Sequence, residues 1–364
     1  MKIAFYAPIK PPDHPIPSGD RLIAANTVEA LRLAGHEVVL ASRFIAYAKR
    51  HEPGLLEARR AAAIAEAEAA MRRLRQDPPH LVLTYHPYCK APDWIGPRLA
   101  AALGVPYVTL EAARTGQGGE ADPWADWRAE AQAGFGAADL HVCLKPNDRA
   151  MLRAVLGPDA PVADLAPFID VPPPPPPRSR APGEPVRLVT VAMMRPGKKV
   201  ANFVLLADAL SRARLRDWTL TIVGGGPAEE SVRAAFAPLG ERVGYLGELE
   251  REGVLRVMSS ADLFVWPGLA EPIGMVFLEA QAMGLPVAAS ADMGVPLVVA
   301  DGVTGVLAAE PSPHALAGAI DRLAADGALR GRLAAAARGH VEEHHSLRAA
   351  SARLDALLKP LVAR

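Results

Sequence analysis

Two glutamates, Glu271 and Glu279, stand eight positions apart in EPIGMVFLEAQAMGLPVAAS (271–290), on either side of Gly274. The stretch between them reads as the start of a buried helix. Pro272 suits a first helical turn, and Gly274 lets backbone come close to a ligand. Carboxylates accept hydrogen bonds, and a helix start offers free N–H groups to an anion or to sugar oxygens. Eight helical residues cover about 12 Å, roughly the span from a sugar ring, across a pyrophosphate, to a ribose. Read singly, Glu271 is a helix-start acid favoured by the macrodipole and Glu279 a solvated helix residue. Read together, they suit hydroxyls at opposite ends of a nucleotide sugar.

Positive charge for the phosphates is offered by VAMMRPGKKVANF (191–203), with Arg195, Lys198 and Lys199 after a strand. Cations there would stabilise a diphosphate leaving group. Near the N-terminus, Gly19 in PIPSGD would let a loop approach phosphates, although a plain helix-start glycine fits equally. GGGPAE (224–229) is no dinucleotide fingerprint, because Glu229 falls where the third glycine belongs.

These loops need strands and helices behind them, and the chain supplies an alternation of both. Strands are expected at 2–8, 37–42, 80–86, 105–111, 139–144 and 161–166. Helices are expected at 20–35 and 55–76, from near Pro97, and from Pro146. VPPPPPPRSRAPGEP (171–185) then breaks the series, since consecutive prolines neither join a sheet nor continue a helix. Alternation resumes with strands at 186–194, 218–225, 241–247, 262–268, 285–290 and 304–309. The expected fold class is α/β, two doubly wound Rossmann-like domains facing across a cleft. Their bounds are 1–170, a proline-rich hinge at 171–185, 186–340, and a C-terminal helix in 341–364.

Composition narrows the function. The chain has 364 residues, half of them apolar and 22% charged, as in a folded soluble protein. Forty basic residues offset forty acidic ones, which argues against general nucleic-acid binding. The two cysteines, Cys89 and Cys143, have no metal-ligand spacing and suit a reducing, cytoplasmic setting. MKIAFYAPIKPPDHP is not read as a signal peptide, and no apolar run reaches membrane-spanning length. Arginines 59, 60, 72, 73 and 75 form a solvated basic face, or else a surface for peripheral contact at the inner face of a membrane. His344 and His345 are expected to be solvated.

AEPIGMVFLEAQAMGLPVAASADMGVPLVVADGVTGVLA (270–308) resembles the donor-binding segment of glycosyltransferase family 4, the group 1 glycosyltransferases of GT-B fold. The resemblance extends to TIVGGGP (221–227), YLGEL (245–249), SSADLFVWPG (259–268) and, before the hinge, PSGDRLIAANTVEALRLAGHEVVLAS (17–42). It implies that Glu271 contacts the transferred sugar, that backbone at Ile273, Gly274 and Met275 meets sugar and phosphate, and that Glu279 holds the ribose. Leu246 joins the donor site by the same resemblance. The family has an arginine directly after the strand at 186–194 and a lysine several residues on. Met193 takes the arginine position here, so Arg195 would act from a longer loop, and the register of FVLLADAL favours Lys199 over Lys198. Where the family often has a histidine near the donor sugar, this chain has Glu111. His86 and Asp93 follow a neighbouring strand and are expected to face the same cleft.

The resemblance implies a metal-independent, hexosyltransferase-like enzyme that retains anomeric configuration, with the leaving phosphate taking the acceptor's proton. No D-x-D pair occurs in the chain. No cofactor is implied beyond a nucleotide diphosphate sugar as co-substrate. The acceptor would be a saccharide, a lipid-linked molecule or a small molecule. A nucleotide-sugar epimerase or phosphorylase of the same fold, and a non-catalytic nucleotide-sugar binder, are the rival readings.

Overall fold

The first strand, Lys2–Tyr6 (β1), leads to a helix, Gly19–Leu33 (α1), that opens where the Ser18 hydroxyl accepts a hydrogen bond from the Arg21 N–H at 3.2 Å. The same alternation continues through Glu37–Leu40 (β2), Leu55–Leu74 (α2), Leu81–Tyr85 (β3), Gly96–Leu103 (α3) and Tyr107–Leu110 (β4). Ala125–Gly136 (α4), Leu140–Cys143 (β5), Pro146–Leu156 (α5) and Val162–Asp164 (β6) complete the set. All pairings are parallel, in the order β2-β1-β3-β4-β5-β6. β3 and β4 are buried along their whole length, as expected of strands covered by helices on both faces.

In this computed structural model the described residues are 1–16, 18–113, 122–176 and 183–363. They divide into two units, Met1–Ala166 with Leu347–Arg364, and Pro167–Ser346. The second unit repeats the plan with Val186–Val191 (β7), Lys198–Arg212 (α6), Trp218–Val223 (β8), Glu229–Phe236 (α7), Val243–Tyr245 (β9) and Arg251–Ser260 (α8). Leu263–Val265 (β10), Met275–Ala282 (α9), Val287–Ser290 (β11), Gly305–Ala308 (β12), Pro313–Ala325 (α10) and Gly327–His344 (α11) follow. Its sheet is parallel in the order β12-β11-β10-β7-β8-β9.

Each sheet has one place where the winding reverses: between β1 and β3 in the first unit, and between β7 and β10 in the second. Ligands of such sheets bind outside the carboxyl ends of the strands at that switch point.

Several expectations change. The tail is not one helix from about 341: α11 runs to His344, His345 and Ser346 break it, and Leu347–Val362 (α12) packs on α1 in the first unit. His345 is buried rather than solvated, with Nδ1 2.7 Å from the Pro167 carbonyl. Burial lowers its pKa to about 4. Asp93 faces no opening. Its Oδ1 accepts the Ile95 and Gly96 N–H groups at 2.8 Å and its Oδ2 the Tyr107 hydroxyl at 2.7 Å, so it caps α3 from inside the core. Of the basic residues around α2, Arg59 donates to the Ile45 carbonyl and Arg73 to those of Leu40 and Ala41, while Arg60, Arg72, Arg73 and Arg75 are exposed, as a solvated face requires. Of the proline-rich stretch, residues 177–182 lie outside the described residues, as does Pro17 of PIPSGD. Pro172, at the start of the run, accepts a hydrogen bond from Arg338 of α11 at 3.1 Å.

Candidate functional site

At the switch point of the second unit, two loops leave the carboxyl ends of adjacent strands, one from β7 and one from β10. Lys199, in the first turn of α6, reaches across to form an ion pair with Glu271 Oε1. The Trp266 indole N–H donates to the same oxygen at 3.3 Å, and Lys199 Nζ lies 5.6 Å from the centre of the indole ring. Trp266 is fully buried against Phe203, so it is a rigid floor for the pair.

The loop carrying Glu271 is held from three directions. Asn202 of α6, completely buried, accepts from the Leu269 N–H at 2.7 Å and donates to the Leu269 and Lys198 carbonyls at 3.1 and 2.8 Å. Asp292 accepts the Ala270 N–H at 2.7 Å, and Gly294 N–H donates to the Glu271 carbonyl at 3.0 Å. Ala270 has φ of 53°, a conformation that costs a non-glycine residue energy and that these bonds hold in place.

Gly274 closes the loop with φ of 81°, and a Cβ there would come within 2.6 Å of the Phe277 ring. α9 starts at the next residue, so the N–H groups of its first turn open at the carboxyl end of β10. Ile273 has its side chain buried, leaving backbone as what it can offer a ligand. Glu279 is half-buried on α9, and no hydrogen bond to its carboxylate is found among the described residues. Burial raises its pKa, with Arg251 acting in the opposite direction.

The rest of the expected donor set frames this place. Met194 is buried and ties the β7 loop to the glycine loop after β8, its N–H donating to the Gly225 carbonyl at 2.7 Å while its carbonyl accepts from Ala228 at 2.9 Å. Gly226, at φ 143°, is required by that closeness: a Cβ would stand 2.6 Å from the Met194 carbonyl oxygen. Met193, Arg195 and Lys198 are exposed on the β7 loop and the start of α6, and Leu246 is exposed after β9. Lys199 thus faces Glu271, while Lys198 faces solvent.

The first unit has its own charged cluster at its switch point. His86 Nδ1, after β3, is 3.1 Å from Asp20 Oδ1, at the start of α1. Glu111, after β4, is buried, and its Oε1 accepts from Lys145 Nζ at 2.6 Å. Asp148 lies 3.2 Å from the same ammonium. His86 and Glu111 both have left-handed backbone, with φ of 55° and 58°. Burial pulls the His86 pKa down, but Glu111 and Asp20 outweigh it and the net shift is upward. The hydrogen bond to His86 lowers the pKa of Asp20. Gly19 is exposed, and a Cβ built on it meets nothing within 4 Å, so packing in this unit does not demand a glycine there.

The structure therefore brings Glu271 and Lys199 together and sets Glu279 on α9, which starts four residues after Glu271. Glu111 it pairs internally. Sequence reasoning did not find Asn202, Trp266, Asp292, Asp20 or Lys145. Asp20 and Lys145 left a trace, each charged and next to a helix start.

Residues 176–340 match the family described as glycosyl transferases group 1. The chain is 30% identical over 238 residues to a GDP-mannose-dependent alpha-(1-6)-phosphatidylinositol monomannoside mannosyltransferase of Mycolicibacterium smegmatis, covering 61% of this chain and 62% of that one. It is 37% identical over 170 residues to a D-inositol 3-phosphate glycosyltransferase of a Mycobacterium species, covering 44% of this chain and 32% of that one. The chain thus spans less than two thirds of the length of either relative. Among solved structures, a sucrose-phosphate synthase from Thermosynechococcus elongatus superposes with a TM-score of 0.72 at 21% identity, covering 100% of this chain and 99% of that one. Anabaena Alr3699/HepE in complex with UDP superposes with a TM-score of 0.70 at 16% identity, covering 99% and 100%. The fold is GT-B, with two six-stranded parallel α/β sheets.

Proposed function

Because residues 176–340 match the group 1 glycosyl transferases, we propose that the chain moves a sugar from a nucleotide diphosphate sugar to an acceptor hydroxyl, with retention of anomeric configuration. One observation carries this reading: two carboxylates on either side of the start of one short helix, Glu271 in the loop before α9 and paired with Lys199 at the switch point, and Glu279 within α9, half-buried and with no hydrogen bond to its carboxylate among the described residues. A half-buried acceptor with no hydrogen bond among the described residues suits the vicinal hydroxyls of a ribose. Lys199 meets the diphosphate, where it offsets the charge that develops as the anomeric carbon–oxygen bond breaks. Glu271 positions the sugar, and backbone at Ile273, Gly274 and Met275 receives sugar and phosphate oxygens. Arg195, exposed on the β7 loop, supplies a second cation, so that transfer proceeds without a bound metal. Relatives named for GDP-mannose, and a neighbour solved with UDP-glucose, define the donors to try first.

A melting-temperature screen against UDP, GDP and their hexose conjugates tests the reading, since a ligand that binds the native state raises the transition. A rise with one diphosphate, weakened in Glu279→Ala, is expected. No rise with any nucleotide overturns it. One observation favours a non-catalytic binder instead: Met193 stands exposed where the resemblance puts an arginine. Release of free sugar or a glycoside from the bound donor separates the two.

A further inference from the structure

We propose that Met293 selects a donor sugar that carries a methyl group, as a 6-deoxy sugar or a 2-acetamido sugar does, over one that presents a hydroxyl at that position. The inference rests on the transferase reading above and concerns the class of sugar taken by the same site.

Met293 lies in the turn after β11, and β11 is the sheet neighbour of β10, whose loop carries Glu271. The turn is clamped to that loop on both sides of the methionine. Asp292 accepts the Ala270 N–H at 2.7 Å, and the Gly294 N–H donates to the Glu271 carbonyl at 3.0 Å. Gly294 approaches so closely that a Cβ on it would stand 2.2 Å from the Pro272 carbonyl oxygen. Within the turn, the Asp292 N–H donates to the Ser290 carbonyl at 2.8 Å and the Val295 N–H to the Asp292 carbonyl at 3.0 Å. The Met293 backbone thus has a fixed place beside the Glu271 loop.

The residue type at that place runs against two local rules. Its φ is 41°, in the left-handed region that glycine or asparagine adopts more readily than an apolar residue does. Its side chain is 54% exposed, more than any other exposed large apolar side chain described in the second unit. Packing therefore does not hold a methionine there, and glycine would relieve the backbone and remove the exposed apolar surface together. A methionine in this turn gains its apolar contact when a ligand covers it.

The chemistry of the thioether says what that ligand offers. It is unbranched and polarizable, so it adapts to an apolar group laid against it. A methyl group gains burial and dispersion from the contact. A hydroxyl in the same place would lose water and find only a weak sulfur acceptor. Glu271 and Met293, on loops from adjacent strands, then supply one polar and one apolar contact to the same sugar ring.

The test is calorimetry on the full chain with matched donors: GDP-mannose against its 6-deoxy counterpart, and UDP-glucose against its 6-deoxy and 2-acetamido counterparts. GDP and UDP serve as references. The parent is expected to bind one methyl-bearing donor about 10-fold more tightly than its hydroxyl partner, the effect of one methyl-sized group in an apolar contact. The pair that shows the preference tells the two sources of the methyl group apart. Met293→Gly and Met293→Asn both suit left-handed backbone. Each should abolish the preference at unchanged affinity for free diphosphate, with a melting temperature no lower than the parent's. A methionine with only a structural role would instead lower the melting temperature and leave the sugar preference in place. Equal or weaker binding of the methyl-bearing member in every pair overturns the proposal, and so does a preference that survives in folded Met293→Asn. A chain that binds neither diphosphate fails at the transferase reading instead, so the two failures are distinct.

Discussion

Lys199 and Glu271 neutralise one another across the carboxyl ends of β7 and β10. Their proposed tasks differ, one at phosphate and the other at sugar, yet the structure pairs them. An ammonium alone at this place would face no counter-charge until a diphosphate arrived. The Glu271 side chain, 14% exposed, also accepts from the Trp266 N–H, so it keeps a hydrogen-bond donor when Lys199 turns away. On the proposed reading, a donor diphosphate would exchange one partner of Lys199 for another rather than desolvate a free charge.

That exchange makes Lys199→Ala informative. Loss of the cation at the leaving group should lower turnover by about 100- to 1,000-fold. Melting temperature should fall only modestly, because the pair is partly solvated and Glu271 keeps its tryptophan donor. Lys198→Ala should leave both nearly unchanged. The reverse pattern, with Lys198 decisive for turnover, would remove Lys199 from the site. Excess chelator should leave the unsubstituted rate intact, and strict dependence on added magnesium or manganese would contradict the role given to these cations.

Glu279 couples binding to stability through pH. Its pKa is raised because burial disfavours the carboxylate. A folded acid with a raised pKa holds more protons than the unfolded chain, so stability declines as pH rises through the interval between the two values. Glu279→Gln removes this penalty and should melt higher than the parent at pH 7. The difference should vanish below the ordinary carboxylate range, about pH 4. The same variant should bind nucleotide diphosphate roughly ten- to a hundred-fold more weakly. Melting curves at two pH values with calorimetric titration check both halves, and a variant that binds as tightly as the parent removes Glu279 from the ribose.

The sequence made some of this legible and hid the rest for identifiable reasons. The twelve strands among the described residues each fall within a short, mostly apolar run. Glu271 and Glu279 are visible because both lie on one continuous segment, where spacing converts directly to distance. Asn202 is not visible, since the loop it holds is 67 residues away and nothing local marks it. Glu111 reads as a strand-end acid open to ligand. Its burial depends on Lys145, 34 residues on, which the register of the next strand brings alongside. The amphipathic pattern of α12 shows that one face is buried, without saying which unit covers it.

That unit is the first, and α12 should therefore stabilise it selectively. Leu354 and Leu358 are fully buried in the packing with α1. Leu354→Ala should destabilise the chain by about 2–5 kcal/mol, as removal of a core leucine does. Diphosphate affinity, which belongs to the second unit in this reading, should survive. Denaturant unfolding followed alongside diphosphate titration distinguishes the cases, and an affinity loss that matches the stability loss would mean that α12 does not act on the first unit alone.

Acid stability should turn on His345. It closes the second unit end to end, its imidazole 2.7 Å from the Pro167 carbonyl and its own carbonyl accepting the Ile169 N–H at 2.8 Å. Buried and nearly neutral, it takes a proton only near pH 4, whereas an unfolded histidine does so near 6.5. Between these values the unfolded chain binds the extra proton. Stability is therefore lost as pH falls through this window and is fully present above it. Two and a half pH decades at one site correspond to something on the order of 3 kcal/mol. His345→Gln keeps an N–H donor for the Pro167 carbonyl and removes the titration. The variant should be close to the parent at pH 7, more stable than the parent at pH 4.5, and flatter in stability between the two. A stability-versus-pH curve as steep as the parent's would place the acid sensitivity elsewhere. His141 is the next group to try, since burial also lowers its pKa to about 4, and its Nδ1 meets Thr109 at 2.6 Å in the first unit.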